Sequence, residues 1–245
     1  MRDAPNSLRC LVVLPTYQER DNIAATLDRV MRASPVLDAL VVDDGSPDGT
    51  GDIVMQAMER EPRIALNRRA RKSGLGSAYL AGFEHGLRMG YGAVCTMDAD
   101  GSHDAASLPS MLRAMHVQAA DLVIGSRYVR DGAVRDWTWL RKLNSAAANC
   151  LYRKLLGIAT HDCTSGFRIY SAALLKKMRL SQLRSTGYSM LVELLVQAKA
   201  CNARIVEEPI LFKNRRLGKS KISLHEMLTS LRTLLDLKLL SGRAL

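Results

Sequence analysis

The sequence predicts an α/β fold with a mostly parallel central sheet flanked by helices. Two observations carry that prediction. Short branched-apolar runs alternate with helical patterns of ~10–15 residues, the signature of βαβ units. Polar residues then cluster where each run ends, in "PTYQE", "VDDGSPDGT", "MDADGSHD" and "GSRYV". Open α/β sheets bind ligands outside the carboxyl ends of their strands, so architecture and composition point to the same edge.

The elements follow in order. "LRCLVVLP" (8–15) reads as a buried strand stopped by Pro15. Residues 19–33 carry helical periodicity through Ile23, Leu27, Val30 and Met31. "LDALVVDD" (37–44) is a second buried strand, and 45–60 a turn leading into a helix that Ser46 or Asp48 would cap. "RIALNR" (63–68) is a weaker strand, 76–90 a helix of small and apolar residues, and "GAVCTMD" (92–98) the fourth strand. A helix over 105–118 contains the awkward Pro109, and "ADLVIGSR" (120–127) is the fifth strand. Residues 129–142, with both tryptophans, read as a loop. Helices are expected over 143–157 and 188–202, a strand and helix within 162–178, and strand-like backbone over 203–214. Residues 222–240 form an amphipathic pattern, apolar at 224, 227, 228, 231, 234 and 235. The simplest organisation is one domain over 1–221 with a helical extension over 222–245.

Composition narrows the function classes. The 245 residues are 47% apolar and 24% charged, which fits a packed globular chain. The polar N-terminal stretch gives no sign of a secretory signal. No uncharged run reaches the ~18–20 residues that span a bilayer. The five scattered cysteines fit a reducing cytosol. A net charge of +11 suits an anionic partner: nucleic acid, a membrane surface or a phosphorylated substrate.

Against that basic background, "DAD" at 98–100 is conspicuous. Two carboxylates two residues apart share a side if the strand continues, and hard cations such as Mg2+ and Mn2+ favour carboxylate oxygens. Asp98 and Asp100 are therefore candidate metal ligands. Asp43 and Asp44 end another run before a glycine-rich turn, where a carboxylate can accept from a base N–H or a ribose hydroxyl. "RRARKSGLGSAY" (68–79) lacks both GxGxxG and GK[ST], which excludes a Walker loop and a dinucleotide fingerprint. Its cations, Lys72 among them, suit a diphosphate or a solvated face. Arginine forks suit phosphate oxygens, and Arg127, Arg130, Arg135 and Arg141 flank the tryptophan loop. Low aromatic content and the absence of a nucleic-acid motif argue against RNA or DNA. His103 is expected at the surface or in a turn.

Together, "LPTYQERDNI", "VVDDGSPDGT", "KSGLGSAYLAGF", "MDADGSHD", "GSRYV", "DCTSGFRIY" and "EEPILF…RRLGKSK" resemble, in this order, the dolichol-phosphate (polyprenol-phosphate) mannosyltransferases. These are inverting family 2 glycosyltransferases of GT-A fold. The resemblance implies transfer of mannose from GDP-mannose to a polyprenyl phosphate, with Mg2+ or Mn2+ between the carboxylates. It implies that Pro15, Tyr17, Glu19, Asp43 and Asp44 line the nucleotide pocket, and that Asp100 also lies near the sugar. It implies that Arg127, Arg141 and Ser145 hold the acceptor phosphate, and that Arg215 and Lys221 reach the donor diphosphate or close over the site. Ser102 stands where some relatives place glutamine as a third metal ligand. Many relatives carry C-terminal transmembrane helices that this chain lacks, so a cytoplasmic protein meeting the membrane peripherally, or through an anchoring partner, is expected. A UDP-glucose-dependent polyprenyl-phosphate glucosyltransferase is the open alternative, since fold and acidic pair serve both.

Overall fold

The computed structural model describes residues 9–183, 185, 187 and 189–214. Arg215, Lys221 and the amphipathic stretch 222–240 lie outside the described residues.

Each buried apolar run forms a strand. β1 (Cys10–Thr16) pairs in parallel with β2 (Leu37–Asp43) and β4 (Ala93–Thr96), and β2 with β3 (Ile64–Arg68). β5 (Leu122–Ser126) pairs in parallel with β8 (Ile205–Pro209). Between β4 and β5 lies β7 (Arg168–Ser171), antiparallel to both. The sheet order is β3-β2-β1-β4-β7-β5-β8. A second, two-stranded sheet joins β6 (Ala133–Val134) to β9 (Leu211–Phe212).

Side chains alternate across a strand, and here the alternation separates two cores. Leu11, Val13, Leu40, Val42 and Val94 face α3 (Leu75–Arg88), α6 (Ala172–Lys177) and α7 (Ser189–Ala200). Val12, Leu14, Val41 and Val123 face α1 (Arg20–Ala33), α2 (Thr50–Arg60) and α4 (Leu108–Val117). Burial on both faces explains why the strands read as unbroken apolar runs rather than alternating ones. Glycines set the distance of α3 from the sheet: a Cβ on Gly82 would lie 2.5 Å from both γ-carbons of Val13.

Several local expectations change. α2 starts after Gly49 in the left-handed region, and of the two capping candidates Ser46 does not serve its first turn. Asp48 instead accepts from the Thr50 amide at 3.1 Å, while Ser46 turns to Asp43. Pro109 is tolerated because it falls in the first turn of α4, where its missing N–H has no helical partner to lose. The tryptophan segment is not one loop: it contains β6 and the start of α5 (Trp139–Leu156). Thr138 caps that helix by accepting from the Arg141 amide at 3.3 Å, so it begins four residues before the expected 143.

Candidate functional site

The carboxyl ends of β1, β2, β4 and β5 meet at one edge of the sheet, and β7 sharpens it. Because β7 runs backwards, its first residue pairs with the last residue of β4, Thr96, and with Ile124 near the end of β5. The loop over 160–167 is thereby delivered to the same edge.

Asp43 is fully buried. Its carboxylate accepts from Thr16 Oγ1 at 2.9 Å, from Ser46 Oγ at 2.5 Å and from the Ser46 amide at 3.1 Å, which locks the ends of β1 and β2 together. The Ser46 hydroxyl oxygen in turn accepts from the Gln18 amide. Asp44 Oδ2 accepts from the amides of Ser73 and Gly74 at 2.9 and 3.0 Å, and the Arg69 guanidinium faces the same carboxylate. Asp44 thus shapes the basic segment 68–74. Lys72 lies 4.2 Å over the Tyr17 ring. Pro15 is half-buried at the end of β1, and Glu19 accepts from the Asn22 side chain at 2.8 Å.

The acidic pair does not continue a strand. β4 ends at Thr96 and the chain turns, with Gly101 at φ +77°. Asp98 keeps 29% of its side chain exposed and accepts from Tyr79 Oη at 3.3 Å. Asp100 is buried and accepts from the Ser102 amide at 2.9 Å. His103 is not at the surface. It is buried, stacked 5.0 Å from Phe167, and its Nδ1 accepts the Asp98 amide at 3.1 Å. Burial lowers its pKa, and an Nδ1 that accepts a hydrogen bond fits the neutral ring. Ser102 is buried too, and its carbonyl accepts from the Lys213 amide. Among the described residues no group of three or more His, Cys, Asp or Glu forms a complete metal cage. The donor chemistry that remains is a carboxylate pair, which fits a hard divalent ion sharing its shell with phosphate oxygens.

Arg127, at the end of β5, is almost wholly buried. Its Nε and Nη2 donate to the two oxygens of Asp162 at 2.7 Å each, its amide donates to Asp162 at 3.0 Å, and Nη2 also donates to Thr164 Oγ1 at 2.8 Å. Burial pushes the Asp162 carboxyl up, but the Arg127 fork outweighs it and holds the group below its ordinary value. α5 presents the half-buried Arg141 and Ser145. Asn149, one turn on, donates to the Ser145 carbonyl at 2.9 Å and accepts from the Cys163 amide at 2.7 Å. The fully buried Arg168 donates to the carbonyls of Ser165, Leu191 and Cys163. The 160–167 loop is therefore a hub joining β5, α5, β7 and α7.

Asp162, Thr164, Asn149 and Asn214 were absent from the residues singled out by sequence. Asp162 carried a signal: between Asp136 and Glu193 it is the only acidic residue in a basic stretch. The asparagines carried none.

Residues 11–179 match the model of "Glycosyl transferase family 2". The chain belongs to this family. As a family 2 glycosyltransferase it is 47% identical to a polyprenol monophosphomannose synthase from Mycolicibacterium smegmatis, over 88% of this chain and 81% of that protein. It is 44% identical to an undecaprenyl-phosphate mannosyltransferase from Micrococcus luteus, over 88% of each. Among solved structures it is similar in fold to glucosyl-3-phosphoglycerate synthase from Mycobacterium tuberculosis in complex with Mn2+, UDP and glucosyl-3-phosphoglycerate, with TM-score 0.68 and 18% identity over 94% of this chain and 79% of that one. A mannosyltransferase from Pyrobaculum calidifontis in complex with GDP-Man and Mn2+ gives TM-score 0.60 and 18% identity over 98% of this chain and 66% of that one. The fold of this family 2 glycosyltransferase is of GT-A type.

Proposed function

We propose that this glycosyltransferase moves mannose from GDP-mannose to a polyprenyl phosphate, with inversion, releasing GDP. The observation that carries the reading is identity of 47% and 44%, over 88% of the chain, to proteins whose names state mannosyl transfer to polyprenyl phosphate. The site's chemistry supports it. An acceptor phosphate is already anionic near neutral pH, so the chain needs cations and positioning more than a strong base. Asp98 and Asp100 would hold Mg2+ or Mn2+. When bound, the ion would supply Lewis-acid stabilisation of the leaving diphosphate. Tyr17, Glu19, Asp44 and Lys72 stand at the strand ends where the nucleotide would lie. Asp43, whose carboxylate already has three donors, would support that pocket by fixing the β1 and β2 ends. Arg127, Arg141 and Ser145 would face the acceptor phosphate.

α5 supports a lipid-borne acceptor. Trp139 (75% exposed), Leu140, Leu143 and Leu151 are its exposed large apolar residues. Trp139, Leu143 and Leu151 recur at helical spacing on one side. The helix carries Arg141, Lys142, Arg153 and Lys154 and no acidic residue. An apolar face with a basic rim suits the surface of an anionic bilayer, and no helix among the described residues is long and apolar enough to cross one. The same helix turns the half-buried Arg141 and Ser145 to its other side, so one element would carry both the membrane-facing surface and the phosphate-facing groups.

The test is transfer of labelled sugar into organic-extractable lipid with a short polyprenyl phosphate, comparing GDP-mannose with UDP-glucose. Label from GDP-mannose alone is expected. Label from UDP-glucose alone would overturn the sugar assignment, and label from neither, with folded protein, would overturn the function.

A further inference from the structure

The segment 211–214 leaves the central sheet and touches both halves of the site. Phe212 packs edge-on to His103 with centroids 5.3 Å apart, and His103 accepts the Asp98 amide. The Lys213 amide donates to the Ser102 carbonyl at 3.1 Å, tying the segment to the acidic turn. On its other side β9 pairs with β6, the strand that leads into α5. Asn214 then reaches α5 itself: its Oδ1 accepts from Arg141 Nη1 at 3.1 Å, and its Nδ2 donates to the Asp136 carbonyl at 3.4 Å. The Arg141 guanidinium also lies 4.2 Å over the Trp137 ring, and Trp137 stands edge-on to Phe212 at 5.5 Å. One guanidinium is thus held over a ring face and by a hydrogen bond at its edge, through groups anchored to the acidic turn.

We infer that Asn214, with Trp137 as platform, is a positioning residue that presents Arg141 to the acceptor phosphate. The inference rests on the proposed acceptor role of Arg141. Its physical basis is the difference between two arginines. Arg127 is held by a carboxylate, Asp162, which cancels charge as it orients. Asn214 supplies an acceptor oxygen without supplying a charge. A long arginine side chain has many rotamers to lose when it grips phosphate, and holding it beforehand removes part of that cost. A neutral amide does this without adding an opposing charge of its own.

The test is steady-state transfer from GDP-mannose to short polyprenyl phosphate for Asn214→Ala, Asn214→Asp and Arg141→Ala, and for the Asn214 variants combined with Arg141→Ala. Asn214→Ala is expected to raise the acceptor KM roughly tenfold, the scale of one hydrogen bond to a charged group. Donor KM and kcat should stay within about twofold. Asn214→Asp should keep the melting temperature yet raise the acceptor KM at least as far, because the new charge competes with phosphate; a purely structural role predicts no such split. Both changes should be silent once Arg141 is alanine. An unchanged acceptor KM in Asn214→Ala, an Asn214→Asp variant that behaves like the parent, or effects of equal size without Arg141 would each overturn the inference. If Arg141→Ala leaves the acceptor KM unchanged, the acceptor role of Arg141 fails and this inference with it, while the label in lipid still reports separately on mannosyl transfer.

Discussion

Asp162→Asn tests the hub on which the acceptor side rests. The Asp162 side chain is fully buried and that of Arg127 is 8% exposed, so water cannot replace what the substitution removes. The isosteric amide keeps one acceptor oxygen and loses one arm of the fork together with the charge. Removing one partner of a buried ion pair costs ~3–5 kcal/mol, and the retained hydrogen bond places this change near the lower end, about 3 kcal/mol. At about 2–4 °C per kcal/mol for a chain of this size, the melting temperature should fall by roughly 6–12 °C at pH 7. The pH dependence follows from the sign of the shift. Asp162 sits below its ordinary value of 3.8 in the folded chain, so its contribution is present above that value and is lost as pH falls through the lower folded one. Thermal unfolding of parent and variant from pH 8 to pH 3 should show a wide gap at neutral pH that begins to narrow below about pH 4. A melting temperature within about 2 °C of the parent at pH 7, or a gap that ignores pH, would refute the reasoning.

Further outcomes follow from the same geometry. Asp100→Asn should largely abolish transfer with a near-parental melting temperature, and normal metal-dependent turnover would contradict its role. EDTA should stop transfer and added Mn2+ or Mg2+ should restore it, read as label in lipid. Gly82→Ala drives a Cβ to 2.5 Å from Val13 and should cost ~1–3 kcal/mol or more by thermal unfolding. Asn149→Ala orphans the buried Cys163 amide, and a loss of ~1–3 kcal/mol is expected in urea unfolding.

How much was legible in the sequence depends on how local each cause is. The strands were legible because burial on both faces demands continuous apolar runs, as in "CLVVLPT" and "LDALVVD". The site's edge was legible because parallel strands place their carboxyl ends together. The acidic pair stood out by charge alone. The start of α5 is not legible because its cap, Thr138, lies between two tryptophans in a polar, basic stretch whose composition predicts a loop. Corrections came where a partner is distant in sequence. His103 lies in the turn, but Phe167 and Phe212 keep it from the surface. Asp43 keeps its place at the strand ends, and what no local pattern shows is that the Thr16 hydroxyl, 27 residues away, holds its carboxylate.

The sequence by itself determined the α/β class, most of the element order and the presence of paired carboxylates beside arginines, because each is written in periodicity or in charge within a few residues. The tertiary structure decided that β7 enters the sheet backwards between β4 and β5, carrying the 160–167 loop to the active edge. It also decided that Asp162 holds Arg127 from 35 residues away and that Asn214 reaches Arg141 across 73. A side chain's ability to accept a hydrogen bond belongs to the residue. Which donor it meets is set by how sheet and helices pack, and no local pattern encodes that meeting.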